Sequence, residues 1–599
     1  MNPRNTPSRS TESTDFDPLK AAVATIAKDL RLLPEANPAS APADAVGHRE
    51  PAPHEAPWAG ANPTEIVAPF FTSCPARFEP EWPTARLQGG PNGYDMMIDD
   101  PQISDLIHDC RAFRWPNQRL RWTLNLSGEN MHSDPHRALM AHLLRRAGFG
   151  ATPAELDTYC AWGYEETVQW LLHPERQPAL EEDIIERYYI DWKESRNIEG
   201  ALTETVYRMN SNAGIRPLQE KIALFWHGVF ATGLAKVLHE KTMLNQIDMF
   251  RECGLGSFQE LLRRLARDPA MIFWLDNNFN HKDAINENWG RELLELFSMG
   301  VGMDGHANYT EDDVQEAARA FTGWTIDDDN VASIPYGKTP WLFRYDPEDH
   351  DGGPKSFLGE TGDFNGDDII DIICRQPSTA RFVSRHLYNF FVADDVQVPA
   401  WQSTAPHDPD AIATLEAEYF RSGYDIRSML RMLFTSEFFR SESARFARVK
   451  SPAEVVVGTL HLVGDFKFPR VGFMDTALEC RYMNQDLLNP PSVEGWHTGR
   501  EWIDSGSMVE RINFVADNLG DANHTGVRAI VDTLLDHHPD ATNIVDGCLD
   551  LLGNVVLRDD NRAALVAQAA EALHAGAEAE EVVLNALRMI GSTREYQFA

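Results

Sequence analysis

The chain has 599 residues, of which 43% are hydrophobic, so it is long enough to bury a large core. Asp and Glu outnumber Lys and Arg by 91 to 54; the resulting net charge of −37 disfavours nucleic acids and acidic membrane surfaces as partners. The seven cysteines are scattered and form no C-x-x-C pair, which argues against a disulfide framework and a thiolate zinc site.

The first 137 residues differ in composition from the rest of the chain. Residues 1–60 are rich in Pro, Ala, Ser and charge, and they predict a disordered tail with one short helix over 17–33. Residues 61–137 have Pro, Gly and Trp but little periodicity, and they predict an irregular lead-in segment. The N-terminus lacks the apolar core of a secretory signal, and the chain has no apolar run long enough to span a bilayer. We therefore expect a cytoplasmic protein that does not enter a membrane.

From residue 138 to the C-terminus the pattern is helical, and it predicts a mainly α fold with one large multi-helical domain. A Gly/Pro/Asp-rich insertion over 325–366 interrupts it and predicts a small hairpin. Helical periodicity covers the segments 152–163, 164–172, 218–232, 241–252, 257–267, 287–299, 310–322, 367–375, 378–391, 409–421, 425–439, 451–463, 508–519, 527–536, 561–574 and 578–591.

Helix start signals and stripes place several side chains. Thr152 with Glu155, and Thr310 with Asp313, have the spacing of N-terminal caps. In 218–232 the apolar residues form one stripe, which predicts that His227 lies on the opposite side of that helix.

The densest polar cluster lies in the helix predicted over 287–299. At about 100° per residue, its polar residues fall within one arc of roughly 140°: Glu287, Asn288, Arg291, Glu292 and Glu295. One interpretation is a solvent-exposed face with ion pairs from Arg291 to Glu287 and Glu295. The other is that Glu292 and Glu295 face a cavity with His227 and bind a divalent metal ion of undetermined identity. The usual Glu-x-x-His pair of such bundles is absent.

Two irregular segments present further candidate groups. His350 and Asp351 can act as a general base with an orienting acid, or they can be a surface pair. The turn over 489–497 presents Glu494, Trp496 and His497, which either line a pocket or form a packed corner. Trp324, at the end of the helix over 310–322, is likewise a pocket wall or part of the core.

Several strings of this chain resemble a known family. They occur in a fixed order and include HLLRRAGFGATPAEL (142–156), KIALFWHGVFAT (221–232), NENWGRELLELFSMGVG (286–302) and NPPSVEGWHTGREWI (489–503). Together they resemble the bacterial domain-of-unknown-function family DUF1800, from residue 138 to the C-terminus. The resemblance implies one large α-helical unit and fixes no reaction. It also implies export and a sulfatase-like partner encoded nearby, although this chain lacks an evident export signal.

Two main functional hypotheses follow, beside a third, a carbohydrate-binding module, which rests only on the neighbouring tryptophans Trp496 and Trp502. The first is a metal-dependent enzyme, hydrolytic or oxidative, with His227, Glu292 and Glu295 as ligands and with His350, Asp351 and Arg291 as catalytic groups. In it Trp324, Glu494, Trp496 and His497 line the entrance for a small-molecule or carbohydrate ligand. The second is a non-catalytic scaffold or chaperone-like partner of a sulfatase-like protein, in which the same polar residues are buried networks and caps.

Overall fold

The structure is a computed structural model that describes residues 86–90, 93–97, 134–180, 198–303, 305–327, 340–397, 401, 403–464, 473–536 and 540–599. The tail predicted over 1–60, with its helix over 17–33, lies outside the described residues. Within the predicted lead-in segment, strand β1 (Arg86–Gly90) pairs antiparallel with β2 (Gly93–Met97) in a hairpin.

The described part of the chain from Asp134 onward is mainly α-helical, which confirms the predicted fold class. Its first helices are α1 (Pro135–Ala147), α2 (Pro153–Trp162), α3 (Tyr164–Leu172), α4 (Ile198–Asn212), α5 (Pro217–Val229), α6 (Leu234–Val237), α7 (Glu240–Cys253), α8 (Phe258–Ala266), α9 (Pro269–Trp274), α10 (Asn288–Glu295) and α11 (Glu311–Ala320). The later helices are α12 (Gly366–Cys374), α13 (Pro377–Phe391), α14 (Pro409–Arg421), α15 (Ile426–Thr435), α16 (Glu437–Arg440), α17 (Pro452–Val463), α18 (Phe473–Tyr482), α19 (Ser505–Leu519), α20 (Thr525–Leu535), α21 (Ala541–Leu551), α22 (Asp559–His574), α23 (Ala579–Gly591) and α24 (Arg594–Gln597).

Short antiparallel strand pairs interrupt the helices. β3 (Gly302–Met303) pairs with β4 (His306–Ala307) just before α11. The predicted insertion over 325–366 contains more than the expected single hairpin: β5 (Trp324–Ile326) pairs with β6 (Phe343–Tyr345), and β7 (Lys355–Phe357) pairs with β8 (Glu360–Gly362).

Side-chain caps determine where several helices begin. Thr152 caps α2 as predicted, and Glu155 makes that cap a reciprocal capping box; Thr310 with Asp313 forms the predicted capping box at the start of α11. Ser451 with Glu454 forms another at α17. Each box satisfies backbone N–H groups that the first helical turn leaves without a partner.

Some helices differ from the predicted segments. The segment 425–439 is two helices rather than one, because Ser436 has extended backbone angles and caps α16 with its side chain. The segment 287–299 stops being helical at Glu295: the N–H groups of both Met299 and Gly300 bond to the carbonyl of Leu294, and Gly300 has a φ of 72°. Helices α1, α4, α6, α9, α18, α21 and α24 lie outside the individual segments predicted to be helical.

The centre of the core is aromatic and includes α5. Trp226 stacks on Phe230 with ring centroids 4.9 Å apart, and Phe230 meets Phe297 edge-on at 5.7 Å. The predicted apolar stripe of α5 is buried, but so is almost every other side chain of this helix, Lys221 and His227 included. This helix therefore contacts other elements on all sides, and one of its contacts is the cleft described below.

None of the described helices is both long enough and apolar enough to span a bilayer.

Candidate functional site

A cleft lies between α5, α13 and the segment 485–502 that follows α18. We call it the tryptophan cleft because Trp401, Trp496 and Trp502 line it; it encloses about 820 Å³, including solvent at its mouth. Its other aromatic lining residues are Phe225 and Phe390. The polar lining residues are His386, Asn389, Gln397, Arg448, Ser451, Gln485, Glu494, His497 and Thr498. An apolar cleft with a few convergent polar groups is the usual form of a small-molecule site.

The segment 489–502 is held against α5 and α6 by close backbone contacts. Gly495 has a φ of 85°, and a Cβ atom placed on it would lie 2.1 Å from the carbonyl oxygen of Gly228. Asn489 accepts a hydrogen bond from the backbone N–H of Ala235 at 3.2 Å. Only glycine fits at position 495, and this contact fixes the wall of the cleft that carries Glu494, Trp496 and His497.

Glu494 and His497 form a hydrogen-bonded pair on that wall. The Nε2 atom of His497 lies 3.4 Å from Glu494, and its Nδ1 atom lies 2.9 Å from Glu501. Burial alone would lower the pKa of His497, but the hydrogen bonds and charges of Glu501 and Glu494 raise it above the ordinary value. Glu494, Trp496 and His497 all line the cleft; that they contact a ligand there stays a prediction.

Glu292 stands beside this wall. Burial, together with the charges of Glu295 and Glu494, raises the pKa of Glu292 to about 7, against the opposing effect of Arg291. Leu296, one turn after Glu292, lines the cleft itself. Glu295 accepts a hydrogen bond from the Tyr309 hydroxyl at 3.2 Å. Glu292 is therefore a carboxyl group that changes protonation near neutral pH at the edge of the cleft.

His227 lies close to the cleft but not in a ligand set. It is 2% exposed, and neither of its ring nitrogens has a hydrogen-bond partner among the described residues. Its ring meets Trp496 edge-on at 5.1 Å, and burial lowers its pKa to about 3, so it is neutral. Within the described ranges, no three His, Cys, Asp or Glu side chains are arranged to hold a metal ion. The divalent metal at His227, Glu292 and Glu295 stays a prediction that this geometry does not support.

The predicted catalytic groups Arg291 and Asp351 have other partners. Arg291 forms ion pairs with Glu311 at 2.7 Å and Glu287 at 3.3 Å. Asp351 accepts from Arg319 at 2.7 and 3.3 Å and from the Gly353 N–H at 2.9 Å. Both groups are engaged in contacts that stabilise the fold, away from the lining of the tryptophan cleft.

His350 and Trp324 also lie away from that lining. His350 Nδ1 is 3.0 Å from the carbonyl oxygen of Thr322, to which it can donate. Trp324 is buried, donates to Asn365 at 2.9 Å, and packs under the Arg267 guanidinium at 4.7 Å. The structure therefore places Trp324 in the core, outside the lining of the tryptophan cleft.

A buried charge cluster at the floor of the cleft was not foreseen from the sequence. Arg448, which is 1% exposed, donates through Nη1 to both carboxylate oxygens of Glu454, at 2.7 and 2.8 Å. Lys221 of α5 forms an ion pair with the same carboxylate and donates to the Gly148 carbonyl at 2.7 Å. Asp394 accepts from the Val449 N–H at 2.9 Å.

The cluster holds more positive than negative charge. The cations Lys221, Arg448 and Arg146 act on the carboxyl groups of Glu454 and Asp394, and the buried cations Lys450 and Arg511 also act on Glu454. Burial lowers the pKa of Lys221 to about 8 and raises that of Asp394 to about 6. No local sequence signal marked Arg448 as buried, since an arginine before Val-Lys-Ser-Pro reads as a surface residue.

Two further residues of the cleft were also missed. Trp401 donates through Nε1 to the Val396 carbonyl at 2.8 Å. His386 lies against Trp401 with ring centroids 4.8 Å apart, and burial, with the charge of Arg385, lowers its pKa to about 3. The only signal for either was its aromatic character.

The family comparison agrees with the resemblance seen in the sequence. The family model described as "Protein of unknown function (DUF1800)" matches residues 142–598. The chain belongs to this family. No curated protein and no solved structure matches it.

Proposed function

We propose that this DUF1800 protein is a hydrolytic enzyme that uses acid–base catalysis on a small molecule held in the tryptophan cleft. The observation that carries the proposal is the Glu494–His497 pair on the wall of an aromatic cleft. A carboxylate and a histidine within reach of one another supply a proton acceptor and a proton donor at one place.

The proposed reaction requires one water molecule. The carboxylate of Glu494 takes a proton from the water while its oxygen bonds to the electrophilic centre of the substrate. His497, whose pKa is raised, gives its proton to the leaving group as the bond to that group breaks. Proton exchange with solvent then restores both side chains. Glu292, which is near Glu494, supports this chemistry as a second group that can carry a proton near neutral pH.

The test is turnover of a panel of chromogenic p-nitrophenyl esters, glycosides, phosphates and sulfates. We expect Glu494→Gln and His497→Gln each to lower the rate by about 100-fold or more, the scale of general acid–base catalysis. The matched control is His173→Gln, because His173 also bonds a glutamate, Glu175 at 2.8 Å, but lies outside the cleft lining.

The pH dependence gives a second readout. Because its pKa is raised, His497 stays protonated above the ordinary value of about 6.5, so the rate should fall only on the basic side of that value. His497→Gln should remove this basic limb. The proposal fails if no member of the panel turns over, or if turnover is indifferent to both cleft substitutions.

A divalent metal is a separate question with its own measurement. We would measure the metal content of protein purified without added metal or affinity tag. The comparison of wild type with Glu292→Ala and His227→Ala decides whether the predicted metal site exists. Stoichiometric metal lost in both variants, with the fold retained, would establish the metal site predicted from the sequence.

The alternative role as partner of a sulfatase-like protein has less support. Large apolar side chains that are exposed, such as Trp162, Leu238, Phe420 and Tyr482, lie on separate elements. Single exposed apolar residues are normal on soluble proteins and do not indicate a docking surface.

A further inference from the structure

We propose that the ligand of the tryptophan cleft carries an oxyanion, a carboxylate, phosphate or sulfate group, and that Arg448 and Trp502 bind it at the floor. This inference deepens the proposed function by naming the substrate class, and it rests on the same cleft being the functional site.

Arg448 supplies the first part of the argument. Only its Nη1 atom is used by Glu454, and its Nε and Nη2 atoms have no hydrogen-bond partner among the described residues, although they are buried. A guanidinium presents Nε and Nη2 on one edge, the fork that matches two oxygens of a carboxylate or phosphate. An unpaired buried donor is costly, so a ligand that supplies the missing acceptors would bind there favourably.

Trp502, which also lines the cleft, supplies an independent donor. It packs with Trp496 and Val449, and Val449 follows Arg448 in the chain. The indole N–H of Trp502 is buried and has no acceptor in the described part of the structure. Arg448 and Trp502 can only donate, so the group that satisfies them must be an acceptor.

The charges of the cleft assign an orientation to the ligand. The floor adjoins the cluster in which buried cations outnumber carboxyl groups, so an added negative charge is favoured there. Glu494 would repel an anion, but it lies on the wall and is hydrogen-bonded to His497. The oxyanion therefore lies against Arg448 and Trp502, while the remainder of the molecule extends along the aromatic walls toward Glu494.

Binding of small probes tests the inference. Isothermal titration calorimetry at constant ionic strength, balanced with chloride, would compare inorganic phosphate, inorganic sulfate and benzoate, with benzyl alcohol as the neutral probe. We expect saturable binding of at least one anion, and the strongest of the three identifies the oxyanion. Benzyl alcohol should bind more weakly than benzoate, since it lacks the charge.

Two tryptophan variants form a matched pair. Trp502→Phe removes the unpaired N–H and keeps an aromatic ring, and it should weaken the anion about tenfold while leaving benzyl alcohol unchanged. Trp401→Phe also alters a lining ring, but its N–H already bonds to Val396, so anion affinity should change by less than about twofold. Arg448→Lys should weaken the anion at least as much as Trp502→Phe, with circular dichroism confirming the fold.

The inference is overturned if wild type shows no saturable anion binding, or if Trp502→Phe and Trp401→Phe bind the anion equally well. Failure of the proposed function has a different signature. Anion binding that depends on Trp502, without any turnover, would leave this site standing as a binding site. If the protein hydrolyses neutral substrates and no anion inhibits this turnover, the proposed oxyanion site is refuted. The proposal that the cleft is hydrolytic then still holds.

Discussion

Replacing Glu454 by glutamine should strongly destabilise this protein. The Glu454 carboxylate is 4% exposed, and it is the shared partner of Arg448 and Lys221. Glutamine keeps the shape of the side chain but removes the charge. Both cations then stay buried, and Asp394 is the carboxylate that remains near them. Breaking a buried ion pair by removing one partner costs about 3–5 kcal/mol. We expect a loss of that size in the free energy of unfolding.

The assay is unfolding in urea at neutral pH, monitored by circular dichroism. The comparison requires that the free energy of unfolding depend on urea concentration with the same slope in wild type and variant. The control is Glu311→Gln, which removes the ion pair of Arg291 at 2.7 Å but acts on a side chain that is 76% exposed. That change should leave the free energy of unfolding almost unchanged, because an exposed ion pair is screened by solvent. A loss below about 1 kcal/mol in Glu454→Gln would refute the view that the cluster depends on this charge.

The effect should also depend on pH in a defined direction. Burial alone would raise the pKa of Glu454, but Arg448 and Lys221 hold it well below the ordinary value. A carboxyl group with a lowered folded-state pKa contributes stability above its unfolded value, about 4.3, and that contribution is lost as the pH falls further. The difference between wild type and Glu454→Gln should therefore shrink in acid, beginning below about pH 4.

Two further stability predictions use the same unfolding assay. Glu292→Gln should stabilise the protein by about 1 kcal/mol at about pH 8, a value discounted for partial exposure, and should have no effect below about pH 4. The reason is that the pKa of Glu292 is raised to about 7 in the folded protein, so folding becomes less favourable as the pH rises from about 4.3 to 7. An equal effect of Glu292→Gln at both pH values would contradict this reasoning. Gly290→Ala should cost about 1–3 kcal/mol, because its Cβ would lie 2.9 Å from the Val314 carbonyl oxygen and 3.0 Å from the Ala318 nitrogen. Gly228→Ala, also in a helix but with open space around its Cβ, should be neutral or gain up to about 1 kcal/mol, and equal losses in both variants would refute the packing argument.

Features that depend on a few neighbouring residues could be predicted from the sequence. The caps at Thr152 and Thr310 were found because each lies three residues before the acid that completes its box. The Arg291–Glu287 pair, one turn apart on α10, was foreseen in the same way. The split at Ser436 was missed because a serine can continue a helix or cap a new one, and packing decides between the two.

The cleft depends on contacts between distant segments, so most of it could not be predicted. Trp401 and Arg448 come from separate parts of the chain and meet the turn that carries Trp496 only after folding. The partners of the polar residues of α5 could not be foreseen, because Lys221 meets Glu454 and His227 meets Trp496, and both partners lie more than 200 residues away in sequence. The turn that carries Glu494 was singled out because its Pro and Gly residues mark a rigid loop, where binding groups concentrate.

The buried charge cluster links the stability of the protein to its proposed ligand. Apolar residues of similar volume often replace buried ion pairs without loss of stability, so stability alone does not explain why Lys221, Arg448 and Glu454 are charged. Anion binding does explain it, because Glu454 holds one side of Arg448 and leaves Nε and Nη2 free for an acceptor.

This makes a last prediction possible: an oxyanion should partly restore the stability that Glu454→Gln loses. With one carboxylate removed, the excess positive charge of the cluster grows, so a saturating anion should raise the melting temperature of the variant more than that of wild type. Glu311→Gln should respond as wild type does. Equal shifts in wild type and Glu454→Gln would mean that the anion does not reach the cluster, and the excess charge would then have no connection to the cleft.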